Sequence, residues 1–153
     1  MNAPDTDATW ASLTEATLAS IAASDARRLS VERSRVAPEV REEITEPVYS
    51  LKNRFSFWER LIRRMEADWQ VEGQYPISAY SNDLDSRDRL QVSLSELPDT
   101  AQAALAGLLR ALDERFMHRA EPDGTGELRP WLRPSSGTSR HGFWLRKPRV
   151  IPW

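Results

Sequence analysis

The sequence predicts a mainly α-helical protein: a small bundle of three to four helices with a long, Pro/Trp-rich, non-helical C-terminal segment packed on it. Two long stretches have apolar residues every three or four positions, and prolines and glycines interrupt the chain between and after them. Three of the six tryptophans follow the last predicted helix. A chain of 153 residues, 40% of them hydrophobic, is enough for one domain with a modest core.

Two regions are predicted along the chain. Residues 1–45 are expected to form an N-terminal arm, partly helical or flexible, because they contain good helix formers without a strict apolar stripe. Residues 46–153 are expected to form a single helical domain around which the C-terminal segment wraps. Pro38 and Pro47 push the residues before them away from helical backbone angles, so a connector is predicted over residues 36–48.

The clearest helical signal lies between residues 50 and 70. Its apolar residues alternate between spacings of four and three, and therefore share one helix face: Leu51, Phe55, Trp58, Ile62, Met65 and Trp69. The opposite face is assigned to the charged residues, which include Arg54 and Glu59. Ser50 is available as the N-cap, and Gly73 follows the predicted end.

Two further helices are predicted to form an antiparallel hairpin, because the connection at residues 95–99 is short. In the first helix, Ser81 or Asn82 is the expected N-cap. Asp83 and Asp85 would then lie in the first turn, near the positive end of the helix dipole. The second helix is predicted over residues 99–119, where leucines and Phe116 form a broad apolar stripe.

The C-terminal part of the chain is predicted to be non-helical but ordered. Residues 120–139 are rich in proline and glycine and indicate a loop. Pro148 and Pro152 exclude a helix after this loop and permit at most an extended segment. Because disordered tails rarely carry many aromatic residues, residues 140–153 are expected to pack on the helices.

The composition excludes several kinds of chemistry. With no cysteine and only two histidines, the chain has no disulfides, no thiolate chemistry and no Cys/His metal cage, so we predict no cofactor and no metal site. An EF-hand loop counted from Asp83 lacks its glycine and its glutamate. Gly137 and Gly142 have the spacing of a P-loop, but Phe143 stands where that loop needs lysine.

The location of the protein is predicted to be cytoplasmic, with no membrane partner. No apolar run is long enough to span a bilayer, and the first ten residues carry Asp5 and Asp7 without a basic residue, unlike a signal peptide. The preference for arginine over lysine and the many alanines are typical of a high-GC bacterial genome.

The charge distribution suggests the first functional hypothesis. The middle of the chain is acidic, whereas residues 128–153 carry basic residues and no acid. With no catalytic pattern, we expect a non-catalytic bacterial protein-binding module, an immunity- or antitoxin-like inhibitor that neutralises a basic partner protein through an acidic surface. The residues assigned to this surface are Asp83, Asp85, Asp88, Asp113 and Glu114.

Two alternatives stay open. One is a small enzyme or ligand-binding protein with a site at the C-terminal segment, where Arg140, His141 and Trp144 would bind a ligand or an anion. The other is a nucleic-acid-binding regulator that uses the basic residues between positions 129 and 149. The net charge of −2 disfavours nucleic acid as a partner.

Overall fold

The computed structural model of the protein describes residues 5–70, 73–131 and 142–153. The described residues form six α-helices and one two-stranded sheet: α1 (Thr6–Ala11), α2 (Glu15–Ser34), α3 (Pro38–Arg41), α4 (Leu51–Glu66), α5 (Ile77–Ser95), α6 (Asp99–Arg119), β1 (Ala120–Pro122) and β2 (Arg146–Pro148). Short 3-10 helices occupy Arg129–Trp131 and Gly142–Leu145. The predicted mainly helical fold is confirmed. No helix in the described ranges combines the length and the apolar character that a membrane crossing requires.

The central helix is α4, which packs against α5, α6 and α1. The predicted stripe is buried along this helix, and Trp58 and Ile62 are 0% exposed. The side chain of Ser50 accepts a hydrogen bond from the backbone N–H of Asn53 at 3.1 Å, so the predicted N-cap is confirmed. Arg54 and Glu59, which were assigned to the polar face, are also buried, and that assignment is wrong for both.

The end of α4 differs from the prediction. The helix ends at Glu66, and Asp68 and Trp69 both have left-handed backbone angles, with φ of 49° and 62°. The N–H of Trp69 donates to the carbonyl of Arg64 at 2.8 Å, and that of Asp68 to the carbonyl of Met65 at 3.1 Å. These two bonds form a Schellman motif, in which the left-handed position is more often glycine. Trp69 therefore turns away from the stripe and is only partly buried.

Helix α5 starts earlier than predicted. It begins at Ile77 with Pro76 at the N-cap position, so Ser81 and Asn82 lie inside the helix and do not cap it. Pro76 is suitable there because its fixed φ favours helix entry. The buried hydroxyl of Ser81 donates to the carbonyl of Ser78 at 3.1 Å. Asp83 and Asp85 consequently lie outside the first turn, and the predicted dipole role is wrong for both.

Helix α6 agrees with the prediction for residues 99–119, and it completes the core. Leu105 and Phe116 are 0% exposed, and Leu112 is buried as well. The ring of Phe116 lies 4.8 Å from that of Trp58, which joins α6 to α4. Leu108 is only partly buried, at the edge of this contact.

The described C-terminal residues return to the helices. Strand β2 pairs antiparallel with β1, which directly follows α6, with Glu121 opposite Lys147. The sequence analysis allowed an extended segment here but did not predict its partner. The hydroxyl of Tyr80 donates to the carbonyl of Arg146 at 2.7 Å, and the indole N–H of Trp69 donates to the carbonyl of Val150 at 2.6 Å. The predicted loop at 120–139 falls partly outside the described residues, which resume at residue 142.

Replacement of Leu105 with alanine is expected to lower the free energy of unfolding by about 2–5 kcal/mol, because the removed methyl groups leave a cavity in a closely packed core. Denaturant unfolding followed by circular dichroism would measure it. Met117→Ala on the same helix is the control, since Met117 is 40% exposed and should cost much less. Equal effects of the two substitutions would contradict the assignment of this face to the core.

Candidate binding site

A groove with a volume of about 920 Å³ lies between α2, α4, α5 and the segment of residues 42–50 between α3 and α4, which is called the connector from here on. Its wall is held together by bonds from α2. The carboxylate of Glu32 accepts from the N–H of Val48 at 2.9 Å, and Nε of Arg33 donates to the carbonyl of Ile44 at 2.8 Å. The carboxylate of Asp25 accepts from the N–H of Leu51 at 3.0 Å, at the first residue of α4. These bonds fix the connector between α2 and α4.

The groove has an apolar wall that comes mainly from α2 and the connector. Six large side chains contribute to it: Val31, Val36, Ile44, Val48, Tyr49 and Phe57. Three of them are unusually open to solvent, since Val31 is 48% exposed, Tyr49 50% and Val48 62%. Exposed apolar side chains that gather at one concave surface are typical of a binding site.

The rest of the lining is mostly charged, and its charged residues come about equally from α5 and from α2 with its C-cap residue, while α4 supplies Arg54. The charged residues that line the groove are Arg28, Glu32, Arg35, Arg54, Asp83, Asp85 and Arg89. Most of these groups already have a polar partner within the protein. Arg89 pairs with Asp85 at 2.9 Å, and Arg28 donates to the hydroxyl of Ser93 at 2.9 Å. The groove thus combines an apolar wall with charged residues of both signs.

Arg54 is the most buried of these charged residues and forms no ion pair with the described residues. It is 4% exposed, and its Nε donates to the carbonyl of Tyr49 at 3.4 Å. Its guanidinium lies 4.9 Å from the centre of the Tyr49 ring, in a cation–π arrangement. Burial, together with the nearby charges of Arg28 and Arg89, lowers the pKa of Arg54 to about 10, so the group is still protonated at neutral pH.

Asp83 lines the groove, and the pKa of its carboxyl group is unusual for an aspartate. The hydroxyl of Tyr75 donates to its carboxylate. Burial raises the pKa of Asp83 to about 6, although this hydrogen bond and the charges of Arg64 and Arg60 act in the opposite direction. Burial and the neighbouring Asp83 also raise the pKa of Tyr75. Asp83 is therefore held inside the protein by Tyr75 and changes its charge near neutral pH.

Three other members of the predicted acidic surface also have partners within the chain. Asp113 accepts two hydrogen bonds from Arg87, at 2.9 and 2.7 Å, and Asp88 accepts from the indole N–H of Trp144 at 2.5 Å. Asp85 pairs with Arg89. Glu114 is exposed on α6. The structure does not gather the five acids on one open face, and their role in binding a basic partner protein stays a prediction.

The three residues predicted to form a ligand site at the C-terminal segment are not seen together. Arg140 and His141 lie outside the described residues. Trp144 is buried at 5% exposure, where its indole bonds to Asp88 on α5. This contact joins the C-terminal segment to a helix. The anion site itself stays a prediction.

The chemistry available in the groove is binding through charge and apolar contact. Within the described ranges, no cluster of three or more histidine, aspartate or glutamate side chains could hold a metal ion. Ser86 supplies a hydroxyl to the groove wall, and the described residues that line the groove include no histidine.

The sequence analysis missed the groove, although one signal was present. Arg54 stands three residues after Leu51 and four before Trp58, so its spacing fits the buried stripe as well as the polar face. A charged residue at such a position is a candidate for a functional role. The apolar wall had no comparable signal, because Val31 and Val48 come together only through the fold of the connector.

Replacement of Asp83 with asparagine is expected to stabilise the protein at pH 7 by about 2–3 kcal/mol and to have little effect at pH 4. Between pH 4 and 6, Asp83 keeps its proton in the native state but has lost it in the unfolded state. The contribution of Asp83 to stability therefore falls as pH rises through this range. Denaturant unfolding of both proteins at several pH values measures the difference. A difference that is the same at pH 4 and pH 7 would contradict the raised pKa.

Comparisons of the chain with protein families, with curated proteins and with solved structures find no match.

Proposed function

We propose that the protein is a non-catalytic binding module and that its binding site is the groove between α2, the connector, α4 and α5. The observation that carries this proposal is the size and lining of the groove. A volume of about 920 Å³ lies in the range of small-molecule sites, which are usually concave, mostly apolar and equipped with a few polar groups.

The exposed apolar side chains at the groove support the proposal. Val31, Val48 and Tyr49 are among the large hydrophobic residues most open to solvent, and they belong to the same wall. Because these side chains stay exposed, they add little to the hydrophobic stabilisation of the fold. A bound ligand would remove this apolar surface from water. No hydrogen bond among the described residues joins the hydroxyl of Ser86 to a basic side chain, which favours binding over catalysis.

An immunity- or antitoxin-like inhibitor of a basic partner protein in the bacterial cytoplasm is the second candidate. Glu114 favours it, because this carboxylate is exposed on α6 and lies next to Asp113. The two candidates differ in the substitution that would abolish binding. A substitution that blocks the groove would abolish the binding of a small molecule. Reversal of the charge at Glu114 would abolish the binding of a basic protein.

We also propose that the whole C-terminal segment packs on the helices as the sequence predicts. Support comes from its described part. Phe143 lies 5.3 Å from the ring of Trp58 and 5.3 Å from that of Phe116, and Trp153 lies 5.5 Å from Tyr80. These aromatic contacts reach α4, α5 and α6.

Replacement of Ser86 with tryptophan is expected to weaken the binding of Nile red, a neutral apolar dye, about tenfold or more, because the new side chain fills the groove. A fluorescence titration measures the affinity. Ala104→Trp is the matched control, since Ala104 is exposed on α6 and does not line the groove. Binding of the dye that is insensitive to Ser86→Trp would place the site elsewhere.

Removal of residues 140–153 is expected to lower the melting temperature by about 10 °C or more, because Phe143 and Trp144 would leave the core. Circular dichroism on heating measures this change. Leu145→Ala is the control, as Leu145 is 68% exposed and should leave the melting temperature nearly unchanged. An unaltered melting temperature after truncation would instead assign these aromatic residues to a binding surface.

A further inference from the structure

The buried charge of Arg54 forms no ion pair with an acidic side chain of the described residues. A buried ionised group is costly unless another charge or several hydrogen bonds compensate it. The described contacts of Arg54 are one carbonyl, at 3.4 Å, and the face of the Tyr49 ring. No ion pair of 4.0 Å or less joins its guanidinium to a carboxylate of the described residues, and its nearest charged neighbours include two more arginines.

The carboxylates that line the groove are already engaged elsewhere. Asp85 pairs with Arg89, Glu32 accepts from the backbone of Val48, and Asp83 accepts from Tyr75. None of these bonds involves Arg54, although Asp85 is near enough to favour its charged form. The groove thus contains a buried cation that forms no direct ion pair with the described residues, beside apolar side chains that are exposed to solvent.

We propose, on the basis of the binding function proposed above, that the groove binds a small molecule with one carboxylate on an apolar body, and that this carboxylate pairs with the Arg54 guanidinium. The planar fork of an arginine matches a carboxylate, which it can bind through two parallel hydrogen bonds. The apolar body would cover Val36, Ile44 and Phe57. Asp85 and Glu32 also line the groove, and a ligand carboxylate close to either of them would meet repulsion.

Three probes of equal chain length and different charge test this proposal: decanoate, decan-1-ol and decylammonium. Each is titrated against the complex of the protein with Nile red, below the concentration at which it forms micelles, and displacement of the dye is followed by fluorescence. We expect decanoate to displace the dye at a concentration about tenfold lower than decan-1-ol, with decylammonium the weakest, since a hydrogen-bonded charge adds to the shared apolar contact.

The Arg54→Gln variant identifies the group that recognises the carboxylate. It should bind decanoate and decan-1-ol equally well, with the affinity for decan-1-ol unchanged. Arg110→Gln is the matched control, because Arg110 is exposed on α6 and does not line the groove, and it should keep the preference of the wild type. Because Arg54 forms no ion pair with the described residues, its replacement should leave the melting temperature unchanged or higher.

Each contrary result has a distinct meaning. If Nile red binds and decanoate shows no preference over decan-1-ol in the wild type, the carboxylate inference is wrong and the binding function stands. A preference that survives in Arg54→Gln would assign the carboxylate to another group and overturn the role of Arg54. If neither the dye nor any probe binds, both the inference and the proposed function fail. The wild-type comparison decides the ligand class even if Arg54→Gln does not fold.

Discussion

The ion pair between Arg87 and Asp113 is the interaction on which the arrangement of the central helices depends. Two parallel hydrogen bonds, at 2.9 and 2.7 Å, join α5 to α6, and the indole N–H of Trp58 on α4 donates to the same carboxylate at 2.9 Å. The side chain of Arg87 is 5% exposed. The side chain of Asp113 is 20% exposed, so loss of one member should cost up to about 3–5 kcal/mol, the range for a fully buried pair. This network therefore fixes the register of three helices at one point.

The same network also reaches the C-terminal segment. The guanidinium of Arg87 lies 5.2 Å from the centre of the Phe143 ring, which in turn contacts Trp58 and Phe116. Residues 142–148 thus contact the junction of α4, α5 and α6, where one charge pair and three aromatic rings meet. The acidic character of the central sequence is partly explained by this arrangement, because Asp113 and Asp88 serve as acceptors for side chains of the core.

The sequence predicted those parts of the fold that depend on local periodicity. The stripe from Leu51 to Met65 and the helix at 99–119 follow from the spacing of apolar residues along one helix. The start of α5 was missed because Pro76 opened the helix without the side-chain acceptor that a capping pattern requires. The pairing of β1 with β2 depends on a contact between residues far apart in sequence, which no local pattern reports. The groove was missed for the same reason, since four separate elements supply its lining.

The shallow attachment of α2 has a consequence for the dynamics of the protein. This helix of twenty residues buries only three of them, Thr17, Ile21 and Ser24, whereas α4 buries eight of sixteen. Regions with few buried apolar contacts unfold locally at a smaller free-energy cost than the whole protein does. Backbone amides of α2 should therefore exchange with solvent deuterium faster than those of α4. Since α2 forms one side of the groove, a molecule bound there would slow this exchange, and the protection of α2 would report occupancy of the site.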